Sequence, residues 1–278
     1  MNTTVGFEEE FYIPQTYHKV GEVFVSDQIH FDPKIDNRVF KVMPFSRFYL
    51  SVKNEKLVFA SPATWDDPFE KLFYIPKKLP NDTHIYALCT CYERSENEEA
   101  VWKSYQKSEE PQVRITINLK KLIDLLDKYS VKHPDIQFYV SLIDYSYDTR
   151  QILSEHASFK KKKIIKVEEM INYMCIKRRA YSYENEVRIF AVVTSSKNSE
   201  KIYPITIPNL YNQIITGITL PPYPLVKDNH KDTDYQYIQD VVNQGMRACI
   251  ERGLKLKCRI WQSRLFQAKY SHKKFQYV

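Results

Sequence analysis

A shortage of glycine constrains this chain more than any other feature of its sequence. Average usage of about 7% predicts roughly 19 glycines in a chain of 278 residues, but only five are present. A Walker or Rossmann phosphate loop needs clustered glycines, because only they let backbone N–H groups close around a phosphate without a Cβ clash. These five are scattered, so those motifs are excluded. A nucleotide would have to bind between side chains, and a chain that is 14% aromatic offers stacking surface.

The overall composition indicates a folded protein with one large core or two modest ones. The hydrophobic content is 43%, which is ordinary for globular chains. No apolar run approaches the roughly 20 residues that span a bilayer, and the first ten residues are acidic rather than a basic segment leading into an apolar one. Five cysteines, an odd number, favour a reducing compartment. We therefore expect a cytoplasmic protein without a membrane partner.

Hydrophobic periodicity predicts a single α+β domain of short, mixed or antiparallel strands with two to four helices. Residues 1–42 lack clear periodicity and are interpreted as an extended, partly packed arm, followed by the domain at 43–268 and a basic tail at 269–278. Asn118 is a predicted N-cap, and Gly253 a predicted left-handed C-cap. The predicted strands cover residues 57–59, 84–91, 113–117, 138–145, 187–193, 202–207, 214–220 and 254–260, and the predicted helices follow Asn118, lie near 160–174 and cover 235–250.

Positive charge is concentrated at the carboxyl end. The whole chain has a net charge of +7, yet nine of its basic residues and one acid lie from Arg247 onward, so the rest is nearly neutral. Strict alternation from Leu254 to Ile260 predicts a strand with one buried face and a basic face with a spacing of about 6.6 Å. The candidate nucleic-acid-binding residues are Lys255, Lys257, Arg259, Arg264, Lys273 and Lys274. The alternative is a solvated strand followed by a basic tail.

Three segments combine polar and aromatic residues in ways that suggest a site. The first joins Arg47 to residues 61–70, where adjacent acids, two prolines and flanking aromatics form a rigid loop. Trp65 and Asp67 are its candidate substrate-binding residues, together with Arg47. The alternative is a tight turn in which the aspartate caps a helix and the aromatics are core.

The second segment contains Trp102 and Tyr105. A spacing of three places them on one helix face, where they could stack on a flat ligand. Core packing is the alternative, since aromatic pairs at this spacing commonly fill a core.

The third segment, residues 177–190, carries the candidate catalytic carboxylates. If residues 184–190 form a strand, Glu184, Glu186 and Arg188 project from one face, with the two carboxylates about 7 Å apart. Like charges in a desolvated cleft push one pKa upward while a neighbouring arginine holds the other down, which suits acid–base work or stabilisation of a developing cation. Lys177, Tyr183 and Arg188 are candidate substrate-binding residues. The alternative is a solvated face of surface ion pairs.

Metal chemistry and a cysteine nucleophile are less well supported. The seven histidines are scattered without ligand spacing, so no metal is expected. Cys89 and Cys91 lie in an apolar strand, where thiols are usually inert.

The three segments together resemble a bacterial family known as domain of unknown function 2971. Its members show an early Tyr-Arg pair, the pattern Ser-x-Pro-x-x-Phe-Asn-Asp-Pro-Phe-Glu, a strand ending Cys-Phe-Ser, a Trp-x-x-Tyr helix, the pattern Lys-x-x-x-Trp-x-Tyr-Glu-x-Glu-x-Arg and a late Ile-x-x-Gly. The matching positions are Arg47, 61–70, Cys89 to Cys91, Trp102, Tyr105, Lys177, Tyr181, Tyr183, Glu184, Glu186, Arg188 and 214–217.

The resemblance covers residues 43–268 and departs at three positions. Ser46 replaces the tyrosine before the arginine, Asp66 the asparagine, and Tyr181 the tryptophan. The resemblance implies a cytoplasmic bacterial effector of a defence or toxin-type system, acting with a partner protein. An early arginine, an aromatic pair and a late Glu-x-Glu are also the parts of ADP-ribosyltransferases, by analogy.

Two functional hypotheses follow. The first is an ADP-ribosyltransferase-like transferase or glycohydrolase with NAD or another nucleotide as substrate, in which Glu186 is the catalytic carboxylate and Glu184 supports it. The second is a non-enzymatic nucleic-acid-binding or sensor module that uses the basic carboxyl-terminal face.

Overall fold

A computed structural model describes residues 14–31, 37–80, 82–92, 98–105, 110–194, 201–222 and 232–263, without the side chains of 98, 99, 103 and 232–238. Within these ranges the chain forms one mixed sheet with helices on both faces. The strands are β1 (Tyr17–Val20), β2 (Val23–Ser26), β3 (Arg38–Pro44), β4 (Lys56–Ala60), β5 (Thr83–Tyr92), β6 (Gln112–Asn118), β7 (Ile136–Leu142), β8 (Glu186–Thr194), β9 (Ile202–Thr206), β10 (Ile215–Leu220) and β11 (Arg259–Gln262). The helices are α1 (Phe45–Lys53), α2 (Pro68–Lys71), α3 (Glu98–Tyr105), α4 (Leu119–Lys132), α5 (Thr149–Lys161), α6 (Val167–Met174), α7 (Leu210–Ile214) and α8 (Asp232–Ala248).

The α+β class and the mixed sheet are confirmed, but the sheet is larger and the helices are more numerous than predicted. The main strand order is β1-β2-β7-β8-β5-β3-β6-β10-β11, with β4 joined to β5 and β9 joined to β4. Eleven strands and eight helices lie in the described part of the chain. Several helices are single turns or lie in polar segments, where periodicity gives a weak signal.

Strands β1 and β2 and most of β3 lie in the segment interpreted as an arm, yet all three strands belong to the main sheet. β2 runs parallel to β7, and β3 pairs along its full length with β6. The proposed boundary between residues 42 and 43 therefore falls inside β3. Side-chain hydrogen bonds also join this segment to the rest of the domain. The Tyr17 hydroxyl bonds with Ser141 of β7 and donates to Asn172 of α6.

Many of the local predictions are confirmed. The Asn118 side chain caps α4 by accepting from the backbone N–H of Lys121, and the apolar stripe of α4 is buried. Gly253, however, is not the left-handed residue. After α8 the chain continues through a π-helical turn at Cys249–Leu254, and this turn moves the helix end so that Lys255 takes the positive φ of 52°.

The two faces of the sheet have separate cores. Odd-numbered residues of β8, such as Val187 and Ile189, point into the larger core, which α4 and α8 cover. Phe190 and Val192 point to the opposite face, where they pack with α5 and α6. A third, smaller cluster forms around Phe40 and Trp102, beneath α3.

A split in the sheet determines where a cleft can form. One edge of β5 pairs with β8 throughout. On its other edge β5 pairs first with β4, at Ala87, and then with β3, at Cys91. β3 and β4 diverge between these points, which leaves the Cys89 carbonyl facing the gap. The ammonium of Lys41 donates to that carbonyl at 2.9 Å and so fills the place of a strand partner.

Candidate active site

A cleft of about 570 Å³ lies at this split in the sheet. Its walls come from β3, the start of α1, the 61–70 loop, α3 and the segment that leads into β8. Ligand pockets commonly measure about 300–1,000 Å³, so the cleft has room for a ligand of nucleotide size. The lining residues are Lys41, Arg47, Ala60, Thr64, Trp65, Asp66, Asp67, Glu70, Ala87, Cys89, Ser104, Tyr105, Lys177, Tyr181, Glu184, Glu186 and Arg188.

The fold brings most of the predicted site residues to this one cleft. Those that line it are Arg47, Trp65, Asp67, Tyr105, Lys177, Glu184, Glu186 and Arg188. Two do not line it. Trp102 is 5% exposed in the cluster beneath α3, in agreement with the core-packing alternative. Tyr183 packs on the same cluster, and its hydroxyl hydrogen-bonds with Ser104 at 2.7 Å.

The floor of the cleft is a buried charge cluster of five side chains: Glu70, Lys177, Glu184, Glu186 and Arg188. None is more than 7% exposed, so the alternative of a solvated strand face is wrong. Three carboxylates face two cations. Desolvated charges are tolerated only where they are paired, and the cluster meets this condition through its internal ion pairs.

Arg188 and Glu186 form the most tightly held pair in the cluster. The guanidinium donates to both Glu186 oxygens, at 2.8 and 3.0 Å, and also to Glu70 and to the Met174 carbonyl. Its central carbon, Cζ, lies over the Trp65 ring, 4.2 Å from the ring centroid. Four of the five N–H donors of Arg188 are thus used by protein acceptors, so the guanidinium mainly holds the floor together, and little of it is left for the predicted role in substrate binding.

Lys177 links the three carboxylates. Its ammonium lies 2.6 Å from Glu184, 3.1 Å from Glu186 and 3.0 Å from Glu70. Burial alone would lower the pKa of Lys177, but the surrounding carboxylates, above all Glu186, raise it. Lys177 therefore stays protonated and is a counter-ion rather than a base or nucleophile.

The two candidate catalytic carboxylates have opposite pKa shifts. Burial raises the pKa of Glu184 above its ordinary value, and Lys177 offsets this only in part. Burial acts in the same direction on Glu186, but Arg188 and Lys177 outweigh it and hold the pKa of Glu186 below its ordinary value. This divergence was predicted from the sequence, and it makes Glu184 the carboxylate better suited to proton transfer.

The position of Glu184 differs from the prediction. Residues Arg179–Glu184 form a 3-10 turn rather than the start of a strand, and β8 begins at Glu186. Asn185 between them has a φ of 43°, a left-handed conformation that asparagine tolerates better than most residues. Because of this turn Glu184 lies outside the strand. It is 6% exposed against 2% for Glu186, and it has one ion-pair partner among the described residues.

The 61–70 loop is both a tight turn with a capping aspartate and a wall of the cleft. Asp67 caps α2, since one of its oxygens accepts from the Phe69 N–H at 2.9 Å. Its other oxygen accepts from Arg178 at 3.0 Å, and the same guanidinium nitrogen donates to the Tyr181 hydroxyl. A capping residue therefore also fixes one wall of the cleft.

Several residues of the site escaped the sequence analysis. Glu70 and Arg178 stand next to predicted residues, but nothing in their spacing shows that they pair with Arg188 and Asp67. Lys41 has no sequence signal, because only the split between β3 and β4 brings it to the cleft. Tyr145 accepts the backbone N–H of Glu186 at 2.9 Å from behind the floor.

The thiols near the site are poor nucleophiles. Burial raises the pKa of Cys89, which lines the cleft, and the nearby Glu186 raises it further. Burial likewise raises the pKa of Cys91 to about 12. Among the described residues no group of three or more His, Cys, Asp or Glu side chains is arranged to hold a metal ion.

The predicted basic face is partly described. Lys255, Lys257 and Arg259 are exposed, and we call them the basic edge. The intervening apolar residues pack against the larger core, as alternation predicted, although only residues from Arg259 onward are strand. Arg264, Lys273 and Lys274 lie outside the described residues.

Comparisons with known proteins add no functional information. No protein-family model matches the chain, and no curated protein matches it significantly. The resemblance to the domain of unknown function 2971 family therefore stays a prediction that rests on its motif residues. In the ranges that the structure describes, no helix combines the length and apolar character needed to cross a membrane.

Proposed function

We propose that this chain is an enzyme that cleaves the N-glycosidic bond of NAD or another nucleotide, either as a glycohydrolase or as an ADP-ribosyltransferase-like transferase. One observation carries the proposal. Arg47, an aromatic wall and the Glu-x-Glu pair, which are up to about 140 residues apart in sequence, border one cleft in which the two glutamates have opposite pKa shifts. Opposite shifts in neighbouring carboxylates are the usual mark of an acid–base pair.

The geometry supports a division of labour between the carboxylates. In the proposed reaction the bond from C1′ to the nicotinamide nitrogen breaks, and its electron pair leaves with the neutral base. Water or an acceptor hydroxyl attacks the oxocarbenium-like carbon, and Glu184 takes the proton of that nucleophile. Glu186 is neutralised by Arg188 and Lys177, so its part is to position these groups and Glu184 rather than to exchange protons.

The residues on the rim and walls of the cleft are the ones that would bind the substrate. Arg47 is exposed at its rim and Lys41 is partly exposed on its wall, so these cations are placed to contact phosphates in the way that glycine loops do elsewhere. Trp65 and Tyr105 would supply stacking surface. This replacement of backbone amides by side chains agrees with the scarcity of glycine.

The resemblance extends the proposal to a biological setting. We place the chain in the bacterial cytoplasm as an effector of a defence or toxin-type system, switched by a partner protein. Its fold would then be ADP-ribosyltransferase-like, on the strength of the early arginine, aromatic wall and late Glu-x-Glu at one cleft.

Nicotinamide release from NAD tests the enzymatic proposal. The wild type, Glu184→Gln and Glu186→Gln would be compared with Glu251→Gln, a control at an exposed glutamate of the π-helical turn, each with and without RNA, DNA or protein acceptors. We expect Glu184→Gln to lower the rate by about 10²- to 10⁴-fold and the control to match the wild type. Absence of turnover by the wild type with every acceptor, or full activity of Glu184→Gln, would contradict the proposal.

A second function is favoured by the exposure of the basic edge. We propose that Lys255, Lys257 and Arg259 bind nucleic-acid phosphates, either for a non-enzymatic sensor or to hold an acceptor for the enzyme. Binding of this kind weakens steeply with salt. A salt titration of wild type against Lys255→Gln/Lys257→Gln/Arg259→Gln tests it, and equal affinities and equal salt slopes would reject the role.

A further inference from the structure

The basic edge and the cleft floor belong to one face of the sheet. Residues paired across adjacent strands project to the same side, and the registers form one continuous row. The row runs Glu186, Cys91, Phe40, Thr116, Gly217, Arg259, from β8 to β11. Five strand spacings of about 4.8 Å separate its ends by roughly 24 Å.

Trp261 lies on this same face, at the end of the described strand order. It pairs with Thr219, two residues along from Gly217, and so projects to the same side as Arg259. Its six-membered ring covers Gly217 so closely that a Cβ at that position would lie 1.9 Å from the ring. The ring thus packs directly against the β10 backbone at Gly217, where a side chain would clash with it.

The outer surface of this tryptophan remains accessible. Trp261 is 42% exposed, which is unusual for so large an apolar side chain that is also firmly packed on one side. An indole that is held against the sheet and still largely exposed is suited to stacking with a flat ring. Next to it lie the exposed cations Arg259 and Lys257.

We propose that Trp261 and the basic edge form a binding site for single-stranded nucleic acid, in which a base stacks on Trp261 and the flanking phosphates contact Arg259 and Lys257. Charge complementarity and the exposed indole together favour this occupant. Aromatic platforms beside cations bind single strands because every unpaired base offers a ring face, whereas bases in a duplex are already stacked. The site lies on the face that bears the cleft, so the bound strand is an acceptor class that the proposed enzyme could use.

This inference rests on the proposed role of the basic edge and adds a ring-specific component to it. The test uses the full chain and labelled oligonucleotides of about 16 nucleotides, single-stranded and duplex, with fluorescence anisotropy at several salt concentrations. Trp261→Leu removes the ring and Trp261→Phe keeps one. Leu153→Ala is a matched control, because Leu153 is similarly exposed, at 49%, on α5.

We expect the wild type to prefer the single strand, and Trp261→Leu to weaken that binding by roughly 5- to 150-fold. Trp261→Phe should keep most of the affinity, and Leu153→Ala all of it. Quenching of intrinsic tryptophan fluorescence by the oligonucleotide should be smaller in Trp261→Phe than in the wild type, because only Trp65 and Trp102 then remain as fluorophores. Thermal unfolding of each variant confirms that the fold is retained.

Several outcomes would overturn the inference. Unchanged single-strand affinity of Trp261→Leu would reject the platform even if the basic edge binds phosphate. Equal binding of single strand and duplex, or equal competition by inorganic polyphosphate, would show purely electrostatic contact. The Glu184→Gln variant should bind the oligonucleotide as the wild type does, so loss of the enzymatic proposal and loss of the platform are separate results.

Discussion

The buried charge cluster and the basic edge lie on one face of one sheet, and they hold their cations in opposite ways. Arg188 on β8 is 1% exposed and donates to two carboxylates and a carbonyl. Arg259 on β11 projects to the same side but is exposed. The difference lies in the layer above the sheet: the 61–70 loop and α2 cover the first arginine, and water surrounds the second.

Burial separates the charges that maintain the fold from the charges that are available to a ligand. A desolvated ion is stabilised only by the partners that the protein gives it, so its removal leaves those partners uncompensated. An exposed ion is already solvated and its loss changes stability little. The chain therefore uses one set of cations to build a site and another to present a surface.

The largest expected effect comes from breaking the buried cluster at Arg188. Arg188→Met leaves Glu186 and Glu70 without their main counter-ion, and we expect the free energy of unfolding to fall by about 3–5 kcal/mol. Arg259→Met is the matched control on the same sheet face and should change it by less than about 0.5 kcal/mol. Urea unfolding measures both. Similar losses for the two variants would remove the distinction between the regions.

The two buried glutamates should contribute to stability with different pH dependences. The pKa of Glu186 is lowered in the folded state, so its stabilising contribution is present above the ordinary value of 4.5 and is lost as pH falls below it. Glu186→Gln should therefore destabilise the protein at pH 7, by about 2 kcal/mol, and the deficit should shrink as the pH falls below 4.5.

Glu184 should show the opposite dependence. Its pKa is raised, so in the window just above 4.5 the folded state binds the proton more readily than the unfolded state, and falling pH favours the folded state there. Glu184→Gln should cost less stability than Glu186→Gln at pH 7, and its deficit should grow as pH falls toward 4.5. Parallel pH profiles for the two variants would show that their environments are alike.

A half-buried cation gives an intermediate effect. The Lys78 ammonium donates to the carbonyls of Phe159, Lys160 and Lys162 at the carboxyl end of α5. A cation at this end satisfies orphan carbonyls and complements the helix dipole. Lys78→Met should lower the free energy of unfolding by about 1 kcal/mol in urea unfolding. Lys77→Met, at the neighbouring exposed lysine, should leave the free energy of unfolding unchanged.

Sequence patterns predicted local structure well where the feature lies within a single helix or strand. The buried stripe of α4, its Asn118 cap and the strictly alternating β6 all depend on residues that are close in the chain. The prediction at Glu184 failed because a single left-handed residue, Asn185, precedes the strand, so that β8 begins at Glu186, two positions later than alternation suggested.

The site was predictable as a set of residues but not as an arrangement. Glu186 and Arg188 share a strand face by a period of two, so their proximity follows from sequence alone. Lys41 reaches the cleft wall through the split in the sheet, and Glu70 reaches the floor through α2. No spacing in the chain encodes either placement. Trp102 was predicted to line the site with Tyr105, but only Tyr105 does so and Trp102 is core. Helical spacing places two aromatics on one helix face without revealing which of them borders a cleft.

The smallest expected effect on stability is also the clearest test of what the basic edge is for. Lys255→Gln/Lys257→Gln should leave the free energy of unfolding within about 0.5 kcal/mol of the wild type, because both side chains are exposed. If the edge binds phosphates, the same variant should reduce the salt slope for a single strand by about 0.7 for each lost contact. Normal stability with a reduced slope would separate ligand binding from folding. Lys77→Met, which removes an exposed cation elsewhere, should leave the slope unchanged, and a change there would show that net charge alone governs the binding.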